Sequence, residues 1–314
     1  MENTGNKDTR SGFGAGLLEL GSTNPAVVAL TADLTGSVKM DAFAAAYPHR
    51  FFQCGIAEAN MMGAAAGLAI TGHIPFVGTF AEFATGRVYD QLRQSVCYSA
   101  ANVKIAASHA GVTLGEDGAT HQTMEDIALT RALPHMAVIN PCDYNQTRLA
   151  TLAAAAWDGP VYLRFGRPSV PNFTPVDGPF EIGKAWVVHP GEDVTLLATG
   201  HLVWEALEAV KILGSQGIKA ELINIHTIKP LDAQAVLNSA KKTGAVVTAE
   251  EHLVAGGLGE AVAGLLAQHY PVPMRMVAME EGFGQSGTPA QLMEFYNLNA
   301  AAIVEKVLEL KNRQ

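Results

Sequence analysis

Cysteine, basic residues and long uninterrupted apolar runs are all scarce in this sequence. Its 3 cysteines, Cys54, Cys97 and Cys142, lie far apart and lack the spacing of a metal-ligand set. We therefore expect reduced thiols in a cytoplasmic protein. The 21 lysines and arginines are outnumbered by 30 acidic residues, which leaves a net charge of −9. This balance argues against nucleic acids and anionic membranes as partners, because both require basic patches.

No segment has the character of a signal peptide or of a membrane span. The amino-terminal stretch MENTGNKDTR is polar and lacks an apolar core. A long apolar stretch at 59–81 is interrupted by Asn60, His73, Pro75 and four glycines, so we interpret it as a buried core segment. The chain has 314 residues, of which 48% are hydrophobic and 31 are glycine. Such a composition is typical of an α/β protein of about two domains.

Short apolar runs separated by helical patterns predict a parallel sheet covered by helices on both faces. In the first half, the predicted strands cover residues 26–32, 51–55, 74–78, 103–107, 136–140 and 161–164. A proline-rich, aperiodic stretch at 168–178 then indicates a linker. Beyond it the pattern restarts on a smaller scale, with predicted strands at 194–198, 220–225, 245–249 and 274–277. We predict a doubly wound domain over 1–170, a linker over 171–183 and a smaller α/β domain over 184–314.

Glu58 stands out as a single carboxylate at the start of a long uncharged helix, with no obvious neutralising residue nearby. It follows the segment FFQCGIA, 51–57, which combines a β-type run with a glycine turn. Two explanations are open from these residues alone: stabilisation of about 0.3–1 kcal/mol by the helix dipole, or a buried acid that handles protons. Thr79 and Glu82 further predict a capping box for the next helix. That helix carries Phe80 and Phe83 on one face.

Several polar loops follow predicted strands, at the sheet edge where open α/β proteins bind their ligands. They are 33–37 (DLTGS), the pair Ser108-His109, and the glycine-rich loop 115–122 (GEDGATHQ). Loops that combine glycine with ionisable residues are often functional, and a solvated surface turn is the alternative for the last loop by itself. A second glycine cluster at 256–259 lacks the full dinucleotide-binding spacing, so close helix packing explains it better than an anion site.

Taken together, these segments resemble the transketolase family. The matching residues are Asp33-Leu34-Thr35, Gly55-Ile56-Ala57-Glu58, 79–83, Ser108-His109, 115–122 and Arg167. Their order and spacing are similar to those of the family's pyrimidine-binding and C-terminal domains, and the resemblance covers nearly the whole chain. It implies a thiamine-diphosphate-binding fold for the first domain and a transketolase C-terminal-like fold for the second. The family's diphosphate-binding domain, with its Gly-Asp-Gly…Asn motif for Mg²⁺, has no counterpart in this sequence.

The resemblance implies that this chain is the C-terminal half of a split transketolase with a separate N-terminal partner, in an α2β2 heterotetramer. Thiamine diphosphate would lie between the two chains, with its diphosphate and Mg²⁺ bound mainly by the partner. Glu58 would bond to a pyrimidine ring nitrogen and promote the tautomer that removes the reactive proton. Phe80 and Phe83 would form an aromatic wall, with Phe83 stacked on the ring. Asp33 would also line the cofactor site.

The implied reaction moves a two-carbon ketol unit from a ketose phosphate to an aldose phosphate. Four residues match positions that hold the sugar phosphate in the family, namely Arg10, Ser37, His109 and Arg167. Two guanidinium groups, a hydroxyl and an imidazole suit a dianion. Asp117 and His121 would hydrogen-bond the donor hydroxyls and assist proton transfer. Glu116 would be structural, and no residue of this chain is assigned to a metal.

Two alternatives remain open. The first is the corresponding part of a different thiamine enzyme, either the β chain of a 2-oxoacid dehydrogenase or a deoxyxylulose-phosphate synthase. An oxoacid offers no phosphate for the four residues above to bind, and the synthase normally carries both halves in one chain. The second is a non-catalytic subunit that stabilises or regulates a partner. The combination of Glu58 with Asp117 and His121 argues against it, because a scaffold does not need those groups.

Overall fold

The computed structural model describes residues 1–311 of the chain. Its strands are β1 (Asn6–Asp8), β2 (Val27–Thr31), β3 (Phe51–Gln53), β4 (Ile74–Phe80), β5 (Lys104–Ser108), β6 (Ala137–Ile139), β7 (Val161–Arg164), β8 (Ser169–Pro171), β9 (Trp186–His189), β10 (Val194–Ala198), β11 (Ala220–Asn224), β12 (Thr227–Lys229), β13 (Val246–Leu253) and β14 (Met274–Met279). Its α-helices are α1 (Thr9–Thr23), α2 (Asp41–Ala46), α3 (Glu58–Ile70), α4 (Ala81–Thr85), α5 (Tyr89–Gln91), α6 (Asp126–Arg131), α7 (Tyr144–Ala156), α8 (Leu202–Ser215), α9 (Ala233–Thr243), α10 (Leu258–His269), α11 (Pro289–Phe295) and α12 (Ala300–Lys311). The predicted second domain ends at residue 314, so its positions 312–314 lie outside the described residues.

The first sheet contains seven strands in the order β12-β6-β7-β5-β4-β2-β3. Its pairings are parallel except the one between β12 and β6. Alternate residues of β2 reach two different cores: Val27 and Ala29 pack with α1 and α7, whereas Val28 and Leu30 pack with α3 and α6. Helices therefore cover both faces, which confirms the predicted doubly wound sheet. A strand covered on both faces is apolar throughout, as the sequence pattern indicated.

The second sheet contains five strands in the order β14-β13-β10-β11-β9, and β9 is antiparallel to its neighbour. Helices α8 and α12 cover one face, and α9 and α10 cover the other. The predicted smaller α/β unit is therefore present. The predicted boundaries, with a linker over 171–183 and the second domain from 184, remain a prediction. Among residues 1–311, no helix is both long enough and apolar enough to cross a lipid bilayer. All three cysteines are free thiols.

The proline-rich stretch predicted as a linker is ordered. Strand β8, which lies within it, pairs antiparallel with β1. The backbone N–H groups of Phe173 and Thr174 donate to Asp143 Oδ2 at 2.8 and 2.7 Å. The composition of this stretch could not predict its order, because proline and glycine affect only the local backbone conformation. The groups that hold it, β1 and Asp143, come from distant parts of the chain.

The capping box predicted at Thr79 and Glu82 is wrong. Strand β4 continues to pair with β5 as far as Phe80, which lies opposite Ser108. Thr79 is therefore part of the sheet and cannot cap a helix, and α4 begins at Ala81 without a side-chain cap. The turn from strand to helix occurs at Phe80, which places its ring at the sheet edge.

Strand β13 is longer than predicted and runs through the two glutamates that follow 245–249. Glu251 accepts a hydrogen bond from a backbone N–H of a distant loop, and Glu250 accepts from the N–H groups of Leu258 and Gly259 at 2.6 and 2.7 Å. These partners make buried carboxylates tolerable inside a strand. Glu250 also occupies the N-terminus of α10, so the glycine cluster at 256–259 serves close packing, as predicted, and not anion binding.

Helix α1 carries Arg10 in its first turn. The helix begins at Thr9 because the Asp8 side chain caps it, accepting from the N–H of Ser11 at 2.9 Å. It lies so close to α7 that a Cβ at Gly12 would overlap the carbonyl oxygen of Tyr144. This contact fixes the position of α1, and hence of Arg10, relative to the sheet.

We expect Gly12→Ala to destabilise the chain by about 1–3 kcal/mol, because the added methyl group overlaps a backbone carbonyl. Gly63→Ala in α3 is the matched control. Nothing lies within 4 Å of a Cβ at Gly63, so that substitution should stabilise its helix by about 0.5–1 kcal/mol. Urea unfolding followed by circular dichroism measures both effects. Equal unfolding midpoints for the two variants would contradict the close contact between α1 and α7.

Candidate active site

The residues predicted for the site meet at the edge formed by the carboxyl ends of β2, β4, β5 and β7. These strands are parallel neighbours in the sheet, so the loops that follow them lie side by side. The residues at or just after the strand ends are Asp33, Phe80, His109 and Arg167. Asp33 and His109 have left-handed backbone conformations, with φ of 60° and 61°. Residues other than glycine rarely adopt such angles, which cluster at functional sites.

Aromatic side chains form a continuous wall at this edge. The rings of Phe80 and Phe83 stack with their centroids 5.6 Å apart. Phe80 also stacks on the His109 imidazole at 3.8 Å, and His121 meets Phe83 edge-on at 5.6 Å. The wall therefore joins the two phenylalanines predicted for the cofactor to two histidines predicted for the substrate.

Glu58 is the first residue of α3 and is only 6% exposed. Its Oε1 atom lies 3.2 Å from Nη1 of Arg87, and the Arg87 guanidinium carbon lies 3.8 Å from the centroid of the Phe83 ring. Arg87 is not among the residues predicted from the sequence, although a signal was present. It follows Phe83 by four positions, the spacing that places two side chains on one helical face. One guanidinium group thus contacts both the carboxylate and the aromatic wall.

Two arginines and a histidine from three separate segments come together beside the wall. Burial, together with the nearby charges of Arg10 and Arg167, lowers the pKa of His109 to about 3. The Nδ1 atom of His109 lies 2.7 Å from the hydroxyl oxygen of Ser108. His109 is therefore neutral at neutral pH. It can form a hydrogen bond to an anion but contributes no charge.

Backbone carbonyls hold both arginines in place. Arg10 Nη1 donates to the carbonyl oxygen of Ser37 at 3.1 Å. This contact uses the backbone of Ser37, whereas the sequence predicted that the Ser37 hydroxyl binds phosphate. The Nε atom of Arg10 is buried, makes no hydrogen bond among residues 1–311 and lies 3.5 Å from Oδ1 of Asp8, its ion-pair partner. Arg167 Nη1 donates to the Leu114 carbonyl at 2.7 Å and lies 3.1 Å from Glu116 Oε2. An anion at Arg167 would compete with Glu116.

The loop 115–122 brings one of its two predicted catalytic residues to the wall. His121 is half-buried against Phe83, and its Nδ1 atom lies 2.9 Å from the Thr120 hydroxyl oxygen. Asp117 is exposed at the loop tip. Its side chain forms no hydrogen bond with residues 1–311, so its predicted contact would be with a bound molecule.

Asp33 contributes its backbone to the site edge. Its side chain is exposed, and its N–H group donates to Gln53 Oε1 at 2.6 Å. Gln53 Oε1 also accepts from the N–H of Gly55 at 3.3 Å. Gln53, which is not among the predicted site residues, therefore ties the loop after β2 to the turn that precedes Glu58. The predicted contact of the Asp33 side chain with cofactor remains a prediction.

Comparison with known proteins decides which family has this arrangement. Residues 6–172 match the family described as the transketolase pyrimidine binding domain, and residues 183–303 match the transketolase C-terminal domain. The chain belongs to the transketolase family. This membership confirms the resemblance identified from the sequence motifs, and it implies dependence on thiamine diphosphate.

Relatives of this chain include proteins named as a section or a subunit of a transketolase. It is 43% identical over 306 residues to a putative transketolase C-terminal section of Methanocaldococcus jannaschii, covering 96% of each chain. It is 45% identical over 298 residues to a 6-deoxy-6-sulfo-D-fructose transketolase subunit of Clostridium sp. strain MSTE9, covering 95% of this chain and 92% of the relative. A solved structure described as a split gene transketolase, inactive beta4 tetramer, is similar with a TM-score of 0.91 and 46% identity, over 98% of this chain and 99% of that one.

The residue types of this chain fit the pyrimidine end of the cofactor. Phe83 offers an aromatic ring, which Phe80 and Arg87 contact in the structure, and Arg87 also reaches the buried carboxylate of Glu58. The Oε2 atom of Glu58 forms no hydrogen bond with residues 1–311, so it is available to a ring nitrogen. In the described part of the chain, no group of three or more histidine, cysteine or acidic side chains is arranged to hold a metal ion.

The His109→Gln variant should lose less stability in acid than the wild type. Because the pKa of His109 in the folded chain is about 3 and the ordinary value is 6.5, only the unfolded chain takes up this proton between those values. Uptake by the unfolded state lowers the free energy of unfolding by about 1.4 kcal/mol for each pH unit of acidification. Glutamine does not titrate, so the variant lacks this contribution.

Urea titrations of wild type and variant at about pH 4.5 and about pH 7.5 measure the difference in stability. His49→Gln, at an exposed position, is the control and should keep the acid sensitivity of the wild type. If His109→Gln shows that same sensitivity, His109 is not the buried neutral imidazole described here.

Proposed function

We propose that this chain is the C-terminal subunit of a split, thiamine-diphosphate-dependent transketolase. The reaction would transfer a two-carbon ketol unit from a ketose phosphate to an aldose phosphate. One observation carries the proposal: a buried carboxylate, an aromatic wall and two arginines meet at one sheet edge in a chain of the transketolase family. The carboxylate and the wall suit the cofactor, and the arginines suit an anionic sugar.

Glu58 and Phe83 are proposed to bind the pyrimidine ring. When bound, thiamine diphosphate supplies the centre that stabilises negative charge on the carbonyl carbon of the donor. Glu58 would hydrogen-bond a ring nitrogen from its buried position, where charge-assisted hydrogen bonds are strong. Arg87 covers the Phe83 face and must rotate away for the ring to stack there. Its side chain is 51% exposed, so it can turn into solvent, and the ring would then replace it as the partner of the buried carboxylate.

Arg10 and Arg167 are proposed to bind the anionic end of the sugar. The Nε of Arg10 supports this role, because it is buried, forms no hydrogen bond among residues 1–311 and has only a 3.5 Å ion-pair contact with Asp8, so an anion would give it an acceptor. Neutral His109 would add a hydrogen bond. One relative is named for 6-deoxy-6-sulfo-D-fructose, and a sulfonate offers guanidinium groups an oxygen array similar to that of a phosphate. Either end group is therefore compatible with the two arginines.

Asp117 and His121 are proposed to act on the donor hydroxyls. His121 already lies against Phe83, where the cofactor ring would stack. An imidazole can transfer a proton to or from a hydroxyl group. Asp117, exposed on the same loop, would accept a hydrogen bond from a neighbouring hydroxyl. Their common loop places both beside the reacting end of the donor.

A separate N-terminal partner is proposed to complete the site, bind Mg²⁺ and the diphosphate, and form an α2β2 assembly. Apolar side chains next to Glu58 support it, since Ile56 is 77% exposed and Phe52 is 40% exposed. Two glycines of α3, Gly63 and Gly67, have nothing within 4 Å of a Cβ position. Exposed apolar surface beside a functional site is typical of a subunit interface.

The proposal is tested by a ketol-transfer assay with xylulose 5-phosphate and ribose 5-phosphate. The assay contains this chain, thiamine diphosphate and Mg²⁺, with and without the N-terminal transketolase section encoded beside it. We expect activity only in the mixture, because the partner supplies the diphosphate half of the site. Parallel assays with 6-deoxy-6-sulfo-D-fructose distinguish the two end groups. Full activity of this chain alone, or a complex inactive with every donor, would contradict the proposal.

Glu58→Gln separates a catalytic subunit from a scaffold. Glutamine keeps the size of the side chain but cannot exchange a proton, so we expect kcat of the mixture to fall by about 100-fold or more. Complex formation, measured by size-exclusion chromatography, should be unchanged. Glu19→Gln is the control, because Glu19 pairs with Arg148 at a distance from the sheet edge. Wild-type activity of the Glu58→Gln mixture would favour the non-catalytic alternative.

A further inference from the structure

The loop that carries Asp117 and His121 has a buried base and an exposed tip. Thr113 and Gln122, at its two ends, are 2% and 3% exposed, whereas the residues around Asp117 are exposed. The loop contains several glycines, which lose more conformational freedom on ordering than other residues. Its position therefore depends on the contacts made at the base. Arg167 of the first domain supplies one of them through the Leu114 carbonyl, and the second domain supplies others.

Glu251 of β13 holds the first end of the loop. Its Oε1 atom accepts a hydrogen bond from the Thr113 N–H at 2.7 Å. Gly111, with φ of +83°, lets the backbone approach so closely that a Cβ there would overlap the Glu251 carboxylate. The Glu251 carbonyl in turn accepts from Arg164 Nη2 at 2.9 Å. Glu251 is thus held by hydrogen bonds at both its backbone carbonyl and its side-chain carboxylate.

Gln122 holds the second end of the loop and joins it to the first. Its Nε2 atom donates to the carbonyl oxygens of Val112 and Gly115 at 2.9 and 3.3 Å, and to that of Gln285 in the second domain at 3.0 Å. Val112 also lies in the same buried apolar cluster as Leu292 of α11. The base of the loop is therefore built into the core of the second domain.

The loop tip rests on the segment 284–289 that precedes and begins α11. A Cβ at Gly118 would lie 2.5 Å from Ser286 Oγ, and one at Gly115 would lie 3.4 Å from Pro289 Cδ. Asp117 lies between these two glycines. The second domain thus contacts the loop at its tip as well as at its base.

We infer that Glu251 is a positioning residue for the loop 113–122, which we call the substrate loop. Through Glu251, the second domain takes part in catalysis as well as in assembly. The inference rests on the proposed function, because it assumes that Asp117 and His121 contact the sugar. Loss of the Glu251 carboxylate leaves the Thr113 N–H buried without a partner. The loop base then loosens, and the two side chains no longer hold one geometry relative to the donor.

The test compares Glu251→Ala, Glu251→Gln and the control Glu221→Ala. Glu221 is a buried carboxylate of the same domain, and it bonds to Ser239 and Lys242. In Glu251→Ala we expect amide hydrogen exchange of residues 113–121 to become about tenfold faster in the full chain, without change at α3. In the mixture with the N-terminal section, KM for the donor should rise about tenfold. The dissociation constant for thiamine diphosphate should stay within about twofold.

Glu251→Gln should restore most of the exchange protection and of the KM, because its amide oxygen accepts the same hydrogen bond. Glu221→Ala should leave the exchange of 113–121 at the wild-type level. The inference is overturned if the loop exchanges normally in Glu251→Ala, or if Glu221→Ala loosens it equally. If Glu251→Ala does not fold, Glu251→Met replaces it, because methionine keeps the length of the side chain and removes the acceptor of the Thr113 N–H. Normal loop exchange in that variant overturns the inference.

The ketol-transfer assay tests the proposed function, and hydrogen exchange tests the role of Glu251, so the two can fail independently. If the wild-type mixture transfers no ketol unit, that proposal is rejected, while the exchange data still decide whether Glu251 orders the loop. If the mixture is active and the loop loosens but KM does not change, loop order does not matter for the sugar. The catalytic part of the inference is then wrong.

Discussion

Parallel pairing of neighbouring strands is the constraint on which the candidate site depends. Because β7, β5, β4 and β2 are adjacent and run in one direction, the segments after them reach the same edge. The register of β4 and β5 places Phe80 opposite Ser108, one residue before His109. The aromatic wall and the imidazole are therefore brought together by backbone hydrogen bonds. Side chains from distant parts of the chain then need only short loops to meet.

Buried charges where the two sheets meet give this edge a second support. Arg164 Nε lies 2.8 Å from Asp126 Oδ2, which also accepts from the Tyr162 hydroxyl at 2.7 Å. Such a pair adds little net stability, but loss of one partner costs about 3–5 kcal/mol because a buried charge remains. The same arginine reaches the backbone of Glu251 in the other sheet. These bonds orient the sheets relative to each other, and the substrate loop depends on that orientation.

The electrostatics of the site divide it into two ends. At one end, Glu58 pairs with Arg87, which lies over Phe83. At the other end, Arg10 and Arg167 lie near His109, and the wall of stacked rings connects the two ends. Burial and the two positive charges keep His109 neutral. Asp8, 3.5 Å from Arg10, and Glu116, 3.1 Å from Arg167, offset part of the repulsion between the two guanidinium groups. The end around Glu58 remains open toward the exposed apolar surface of α3.

The sequence by itself was sufficient for the fold class and for most candidate residues. Continuous apolar runs identified the buried strands, because a parallel strand covered on both faces needs apolar residues at every position. The order of the motifs identified the family, and with it Glu58, Phe83 and the arginines. Only the tertiary structure decided which groups meet. The pairing of Glu58 with Arg87, the neutral imidazole of His109 and the bond from Thr113 to Glu251 depend on burial and on contacts between distant positions. A sequence pattern indicates which side chains are buried, but which donor reaches which acceptor depends on how the sheets, helices and loops pack together.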